Sequence, residues 1–589
     1  MLQNCKKEKN VVKVKCLLGA EVCMAFRKTF LALAAFLLTT AVWAGGRNKR
    51  ELVKSGSWVY DSLQLLAIQN GKVDFSDNAP LSVAEIELLL SEYDYDSLNE
   101  NCKFHYDKIL SYFEEENFSF TSGIFSAGAG AAVNLEGYYK ANDDLAWTYN
   151  RYSKEPLLSF PVTLSLGDIL TMSTTLDVQQ NRSVMERNGT FCNIPFSADD
   201  FDINFPDNGY LSLGVDLPSN TALNFRIGMG EQNIGRSLSG SVIFSDYMSG
   251  AAWANLEIFS PNIKYNMNVT ELNVDKYMYS HILDFRFFNK IHFSAMESIL
   301  VAAPLELRFL NPLTIYHGMT PWLDYSGDGG EGGTCAYFCL KFAYTPVKNV
   351  RLYALYAQDQ FQTQYELKNF PNDCTPNAMG FQLGVESYVP VKNGNLHFWL
   401  EGYYAQPYLY IKEDPSWSLV RTYRENIGDM GIFYEWVGSP FGPDTIAAEF
   451  NAGYECNDRW AINFNYLFKA AGEYSGTNVF DSLDWGGHVT GQLSDPSVWP
   501  YPRGSSDADK QAEAKRRQAL KCPSGIPEYL NRASIRASYK VNDYFQIVGQ
   551  GAFVFVFNND NIEGQFACGP EAALSLRCDL TKFAKGFVK

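Results

Sequence analysis

From Phe118 onward the chain places apolar residues at every second position. Leu223, Phe225 and Ile227 alternate with Asn224, Arg226 and Gly228, and Leu283, Phe285 and Phe287 alternate with Asp284 and Arg286. The same holds for Phe381, Leu383 and Val385, for Ala448, Phe450 and Ala452, for Ile462, Phe464 and Tyr466, and for Ile535, Ala537 and Tyr539. In an extended strand this period sends one set of side chains to each face, so each segment predicts a strand with one apolar and one polar side. Residues 51–116 have a helical period instead. Tyr60, Leu63, Leu66 and Ala67 predict one helix, stopped by Gly71; Pro80 and Ser82 lead a second through Val83, Ile86, Leu89 and Leu90, with Glu85 placed for a capping box; Tyr106, Ile109, Leu110 and Phe113 predict a third. A bundle this small is marginal alone and is expected to lean on the end of the strand domain.

A soluble sandwich shares the alternation, so the connections decide. Short turns rich in Pro, Asn, Asp and Lys fall at residues 142–144, 218–220, 261–262, 289–290, 346–349, 390–394, 457–458 and 542–543. Longer connections fall between them, at 271–276, 322–334, 358–377 and 474–529. Alternating short and long connections suit a transmembrane barrel whose two rims face different compartments. Eight short turns join sixteen strands, and one more at each end gives an all-β transmembrane barrel of about 18 antiparallel strands behind a small N-terminal α-helical domain. Residues 157–178 hold either a strand pair or a loop. Closure requires the last segment, 572–577, to pair with the first, near 118–131, because hydrocarbon tolerates no open sheet edge. The polar face then lines the lumen, where Arg226, Arg286, Glu386, Glu401, Glu449 and Arg536 are expected.

Ahead of this lies an export signal. Residues 24–46 read MAFRKTFLALAAFLLTTAVWAGG, with Arg27 and Lys28 before a short apolar run and small residues Ala41, Ala44 and Gly45 after it. Cleavage is placed after Ala44, and Met24 suits the start of the signal better than Met1. The expected organisation is a leader over 1–44, a periplasmic helical domain over 45–116 and an outer-membrane barrel over 117–589. The leader carries seven Lys/Arg and two Asp/Glu, so its removal deepens the net charge from −17 to −22. That argues against a nucleic-acid partner. Aromatic residues make up 15% of the chain, the mixture that interfacial girdles require, so outer-membrane lipid is an expected partner and the chain is expected to act as a monomer. Nine cysteines remain after the leader, an odd and dispersed set. Cys335 and Cys339 offer a bridge or metal pair, but no His stands at ligand spacing, and no metal or cofactor is expected.

Three stretches resemble the capsule-assembly Wzi family of outer-membrane barrels. WVYDSLQLLAIQNGKVDFSDNAPLSVAEIELLL looks like that family's opening helices; FRIGMGEQNIGRSLSGSVIFSD looks like a Gly-rich turn followed by a strand; residues 280–317 resemble its His, Glu and Asn-Pro-Leu pattern at His281, Glu297, Asn311, Pro312 and Leu313. The resemblance spans roughly residues 57–317. It implies an outer-membrane barrel with a periplasmic helical bundle that helps hold polysaccharide at the cell surface.

Other motifs have plainer readings. Residues 230–237 approach a phosphate-binding loop with Arg236 in place of Lys, but 238–245 reads as another strand where a helix is needed. The acidic loop 324–331 could hold calcium and reads more simply as a solvated loop. Residues 506–521 form a basic helical insert, able to meet acidic sugars or simply solvated. The six His fall in no hydrolase or zinc-protease motif, so no catalysis is expected; His397, Trp399 and Glu401 share one strand face and could meet in the lumen. Three functions remain open: a barrel that binds surface polysaccharide, a channel for solutes or lipids, and a structural adhesin. For the first, sugar-stacking candidates on outer loops are Trp322, Asp324, Tyr325, Trp417, Trp485 and Trp499.

Overall fold

The computed structural model describes residues 46–114, 118–187, 189–203, 206, 208–248, 250–317, 334–369, 376–412, 416–424, 432–457, 459–476 and 506–588. The expected leader, the acidic loop 324–331, and Trp322, Asp324, Tyr325, Trp485 and Trp499 lie outside these residues. The wall is a closed antiparallel barrel. Its strands are β1 (Phe125–Ala129, resumed as Ala132–Lys140), β2 (Leu158–Leu166), β3 (Leu170–Val178), β4 (Asn208–Leu217), β5 (Thr221–Met229) and β6 (Ala252–Phe259). They continue as β7 (Ile263–Asn273), β8 (Lys276–Phe287), β9 (Ile291–Val301), β10 (Thr334–Val347), β11 (Val350–Gln360) and β12 (Ala378–Val391). The last are β13 (Gly394–Ala405), β14 (Thr445–Cys456), β15 (Trp460–Ala471), β16 (Glu528–Asn542), β17 (Phe545–Phe557) and β18 (Phe566–Asp579). Both halves of β1 meet β2 in one register, Phe125 opposite Leu166 and Ala132 opposite Ser159, so they count as one strand and the described barrel has 18.

Alternation behaves as the period requires. Leu223, Phe225 and Ile227 are 38, 42 and 49% exposed on the outside, while Asn224 and Arg226, facing in, are 0 and 2% exposed. Residues 157–178 hold the strand pair β2 and β3. The seam differs from expectation: β18 pairs with Ala132–Lys140, not with 118–131. Phe118–Ser122 folds back on the first half of β1, taking the edge that β18 vacates where the chain turns into the helix Leu580–Val588. Leu580 N–H donates to Ala131 O at 2.9 Å there, so little edge is left unpaired.

Two connections also move. Residues 142–144 open the long connection 141–157, on the rim opposite the short turns, and the short turn that replaces them in the count is 167–169, where Gly167 adopts φ +49°. Residues 271–276 hold a tight turn at Val274 and Asp275, with Asp275 at φ +55°, because β7 and β8 run on to Asn273 and Lys276. Residues 238–245 are not a strand. They are irregular and cross the lumen, which also removes the strand–loop–helix context of a phosphate-binding loop. Cys335 and Cys339 are unbridged on the inward face of β10. Four residues of extended chain put their Cα atoms about 13 Å apart, too far for a disulfide.

The short-turn rim carries three helices: α1 (Trp58–Gln69), α2 (Val83–Leu90) and α3 (Glu100–Phe113). Ser57 caps α1, and Gly71 at φ +70° ends it against Lys348. Ser82 and Glu85 form the capping box of α2, each satisfying the other's backbone N–H; Asn99 Oδ1 accepts from Cys102 N at 2.8 Å to start α3. Their apolar faces share one core, with Leu66, Ile68, Ile86, Leu89 and Ile109 packed against Ala222, Phe259 and Tyr388 of the barrel. The helices therefore do more than lean on the rim: their core is continuous with the wall.

Candidate functional site

Three layers stand in the lumen, each against inward-facing wall residues. At the short-turn end, Glu85 enters the wall from α2. Its carboxylate lies 2.7 Å from Arg226 and 2.5 Å from Lys264, and Glu257 lies 2.6 Å from Arg226 and 2.9 Å from Lys264. Two cations and two anions, all essentially unexposed, thus balance. Nearby, Arg286 donates to Glu92 Oε2 at 2.8 Å, and Lys341 pairs with Asp77 at 2.6 Å and Asp284 at 3.3 Å. Burial alone would raise the Asp77 carboxyl, but Lys341, His292 and Arg351 hold it well below the usual range. A buried charge needs such partners, and here they come from opposite sides of the helix–barrel interface.

The middle layer is a plug. Residues 230–248, 406–412, 416–424 and 432–444 turn inward from the long-connection rim, and Val242, Ile243, Phe244, Leu409, Ile411 and Leu419 meet Tyr337, Leu355, Trp399 and Tyr403 of the wall in one apolar core. An irregular segment can be buried only if its backbone finds partners. The wall supplies them. Glu401 accepts from Leu238 N at 2.8 Å and Ser239 N at 3.0 Å; Gln382 accepts from Val242 N at 2.7 Å and donates to Gly240 O at 2.9 Å; Tyr337 Oη donates to Val242 O at 2.9 Å. Gly384 leaves the wall free for Tyr353, whose ring would lie 2.2 Å from a Cβ there, so that the Tyr353 hydroxyl reaches Glu401.

The third layer is an open vestibule of about 530 Å³ at the long-connection mouth. Tyr152, Tyr247, Tyr434, Trp436 and Phe441 give it aromatic walls, and Glu435, Lys469, Glu528 and Asp560 give it charge. Tyr152 and Tyr247 meet edge to face at 4.4 Å, and the Arg151 guanidinium sits 4.2 Å over the Tyr152 ring. Glu435 is held by Arg151, by Arg182 at 2.9 Å and by Arg421 at 3.7 Å. Burial opposes its ionisation, but these three guanidiniums outweigh that and keep its carboxyl below the usual range. Rings flanked by fixed charges can stack on the C–H faces of a sugar while binding its hydroxyls.

Against this, Arg226, Arg286, Glu386 and Glu401 face inward and are buried, committed to the helix lock and the plug; Glu449 is buried against Asn465 and Arg532 of the wall, and Arg536 is half-buried on the inward face of β16. His397 reaches Glu386 at 3.3 Å and its ring lies 5.8 Å from that of Trp399, whose Nε1 donates to Tyr353 Oη at 2.8 Å, and Tyr353 in turn donates to Glu401, so the three residues on that face are linked side by side. Trp417 is half-buried beside Ser418 and Leu419, where the chain enters the plug, and does not line the vestibule. His281 and Glu297 sit opposite each other on β8 and β9, but on the outer face. Residues 302–317 fold over them as a flap: Tyr316 Oη lies 2.8 Å from His281 Nε2, His317 N donates to Glu297 at 2.8 Å, and Tyr265 donates to Pro312 O at 2.7 Å. Asn311 caps the flap's turn by accepting from Leu313 N at 3.2 Å. The vestibule aromatics were missed in the sequence, although the alternation in IFYEW (432–436) is a strand signal carrying them. Among the described residues no group of His, Cys, Asp and Glu is arranged to hold a metal.

No family model and no curated protein matches this sequence. Among solved structures, the chain is similar to Wzi, an outer-membrane protein involved in group 1 capsule assembly in Escherichia coli and a carbohydrate-binding β-barrel. The TM-score is 0.55 at 11% identity, over 89% of this chain and 98% of that one. OprD of Pseudomonas aeruginosa (TM-score 0.35, 10% identity, 76% and 94% covered) and the channel DcaP of Acinetobacter baumannii (0.33, 10%, 78% and 99%) superpose far less well and support no inference. The likeness is one of fold: the chain has the closed antiparallel barrel known from outer-membrane proteins.

Proposed function

We propose that this chain is a divergent Wzi-type barrel of the bacterial outer membrane that holds surface polysaccharide at its long-connection mouth, with its helices on the periplasmic side. The observation that carries this reading is the pairing of a plug packed across the lumen with an open, aromatic and charged vestibule. A conducting channel needs a water-filled path, whereas here Glu401 is spent on the plug's backbone and Arg226 and Lys264 on Glu85 of the helices. The girdle of outward Phe, Leu, Ile and Tyr supplies the lipid-facing surface. Catalysis has no part in this reading. The test is retention of polysaccharide: cells lacking the protein should shed surface polysaccharide into the medium, and the refolded barrel should pull down that polysaccharide from a lipid-free extract. Unchanged retention together with no pull-down would overturn it.

A further inference from the structure

The flap over β8 and β9 has no part in the function proposed above. A barrel wall turns apolar residues to lipid, yet His281 and Glu297 stand side by side on the outer face. Across the register, His281 lies opposite Met267, Met267 opposite Leu256 and Leu256 opposite Phe225, while on the other side Glu297 lies opposite Phe338. Phe225, Leu256 and Phe338 belong to the outward girdle and are 42, 36 and 40% exposed. The polar pair therefore stands in one row with lipid-facing side chains. Val301, where the chain leaves β9 for the flap, is four residues further on, about 13 Å along the strand, on a wall whose apolar band is about 25 Å tall.

The two faces of the flap differ in kind. Toward the wall, Phe309 and Tyr316 are fully buried and pack with Met267, Val269, Tyr279 and Ile299. Wall side chains also meet the flap's backbone: Tyr279 Oη accepts from Glu306 N at 2.9 Å, Glu297 accepts from His317 N at 2.8 Å, and Tyr265 Oη donates to Pro312 O at 2.7 Å. Away from the wall, Leu305, Leu307, Leu313 and Ile315 are 51, 80, 88 and 71% exposed. The charged residues Glu306 and Arg308 pair with each other. Irregular backbone is tolerated at membrane depth where protein takes up its polar groups, and the wall offers that service here. A loop in water would gain nothing by turning four large aliphatic side chains outward.

We infer that residues 302–317 are embedded in the membrane, with Leu305, Leu307, Leu313 and Ile315 seated among lipid acyl chains of the leaflet on the long-connection side. The inference rests on the outer-membrane reading above and adds to it a lipid-binding element that is not a strand. Lipid is the occupant of this face because the girdle continues on either side of it, at Leu256 and at Phe338. His281, Glu297, Tyr265 and Tyr279 then act as anchors: they hold the flap against the wall, and the flap gives them hydrogen-bond partners where acyl chains offer none.

The test reconstitutes the mature chain into dimyristoylphosphatidylcholine vesicles, with the photocrosslinker p-benzoylphenylalanine replacing Leu307 or Leu313. Replacement of Phe225 serves as the lipid-facing reference and of Tyr434 as the reference in the open vestibule. After illumination, intact-mass measurement should show a one-lipid adduct at both flap positions, within about threefold of the Phe225 yield and about tenfold or more above Tyr434. In the unsubstituted chain, a membrane-partitioned aryl diazirine should label peptides from 302–317 and 221–229 alike and spare those from 141–157, a result independent of how the substituted chains fold. Lipid adducts at Phe225 with none at either flap position, or labelling of 221–229 without 302–317, would place the flap in water and overturn the inference. A crosslinked dimer in place of the lipid adduct would overturn it too, by assigning the face to a second copy of the chain. Failure at Phe225 and in 221–229 as well would sink the membrane reading itself, and the inference with it.

Discussion

Replacing Glu85 by Gln should release the helices from the barrel without unfolding the wall. Gln keeps the capping geometry at the third position of α2, so the change isolates charge from capping. Glu85 is unexposed and touches both Arg226 and Lys264, which would then share Glu257 alone and leave one buried cation unbalanced. Breaking a buried pair by removing one partner costs about 3–5 kcal/mol. At about 1.4 kcal/mol per tenfold, opening of the docked helices should become some hundred- to several-thousandfold more frequent. Hydrogen exchange of peptides covering residues 83–90, read against peptides of β12 and β13 as internal standards, measures that opening. Adding Lys264→Met removes the surplus cation, and the double variant should recover most of the loss. Unchanged exchange in Glu85→Gln would refute the lock, and a double variant no better than the single would refute charge balance as its cause.

Acidity offers an independent handle. Burial alone would raise the carboxyls of Asp77 and Glu85, but Lys341 beside the first, and Lys264 with Arg226 beside the second, hold both below the usual range. Their folded values lie under the unfolded value of about 4, so their contribution is complete above pH 4 and is lost only as pH falls through the folded values. Burial raises Asp74 to about 7, which has the opposite sign: protonating it favours the folded form as pH drops from about 7 toward 4. Protease resistance of residues 46–114 should therefore hold or rise between pH 8 and 5 and collapse below about 3; release between pH 7 and 5 would contradict this. In the vestibule, Tyr152→Ala and Tyr434→Ala should each weaken polysaccharide retention by about 0.5–1.5 kcal/mol, read as roughly two- to tenfold less pull-down, and equal recovery would count against stacking. In the flap, Tyr316→Phe should cost about 1 kcal/mol by deleting its bonds to His281 and Phe309 O, seen as faster exchange of residues 302–317; no change there would mean the flap is held otherwise.

The strands were legible because a period of two leaves a local trace, and the capping box because its partners stand three residues apart. The strand number came out right through two offsetting readings. Residues 142–144 have turn composition but sit on the opposite rim, while 167–169 does the turning, and composition alone does not say which rim a turn occupies. The plug left no local trace. Residues 238–245 look like a short strand, and what makes them otherwise is Glu401, Gln382 and Tyr337, which arrive from 95 to 163 residues away. The outward position of His281 could have been read from parity, since it shares a face with Leu283, Phe285 and Phe287. What hid its meaning is the flap, a tertiary cover that no periodicity announces. Arg226 and Arg286 were found as inward cations, and the helices were expected to lean on the barrel, but nothing local in the sequence pairs these cations with Glu85 of α2 and with Glu92 just past its end.

The filled lumen is the claim on which the rest turns, and conductance across a planar bilayer tests it most directly. The mature chain should insert and remain electrically silent, while a variant lacking residues 236–247 should open steady channels. Steady conductance from the intact chain would contradict the plug and, with it, the anchoring function proposed here.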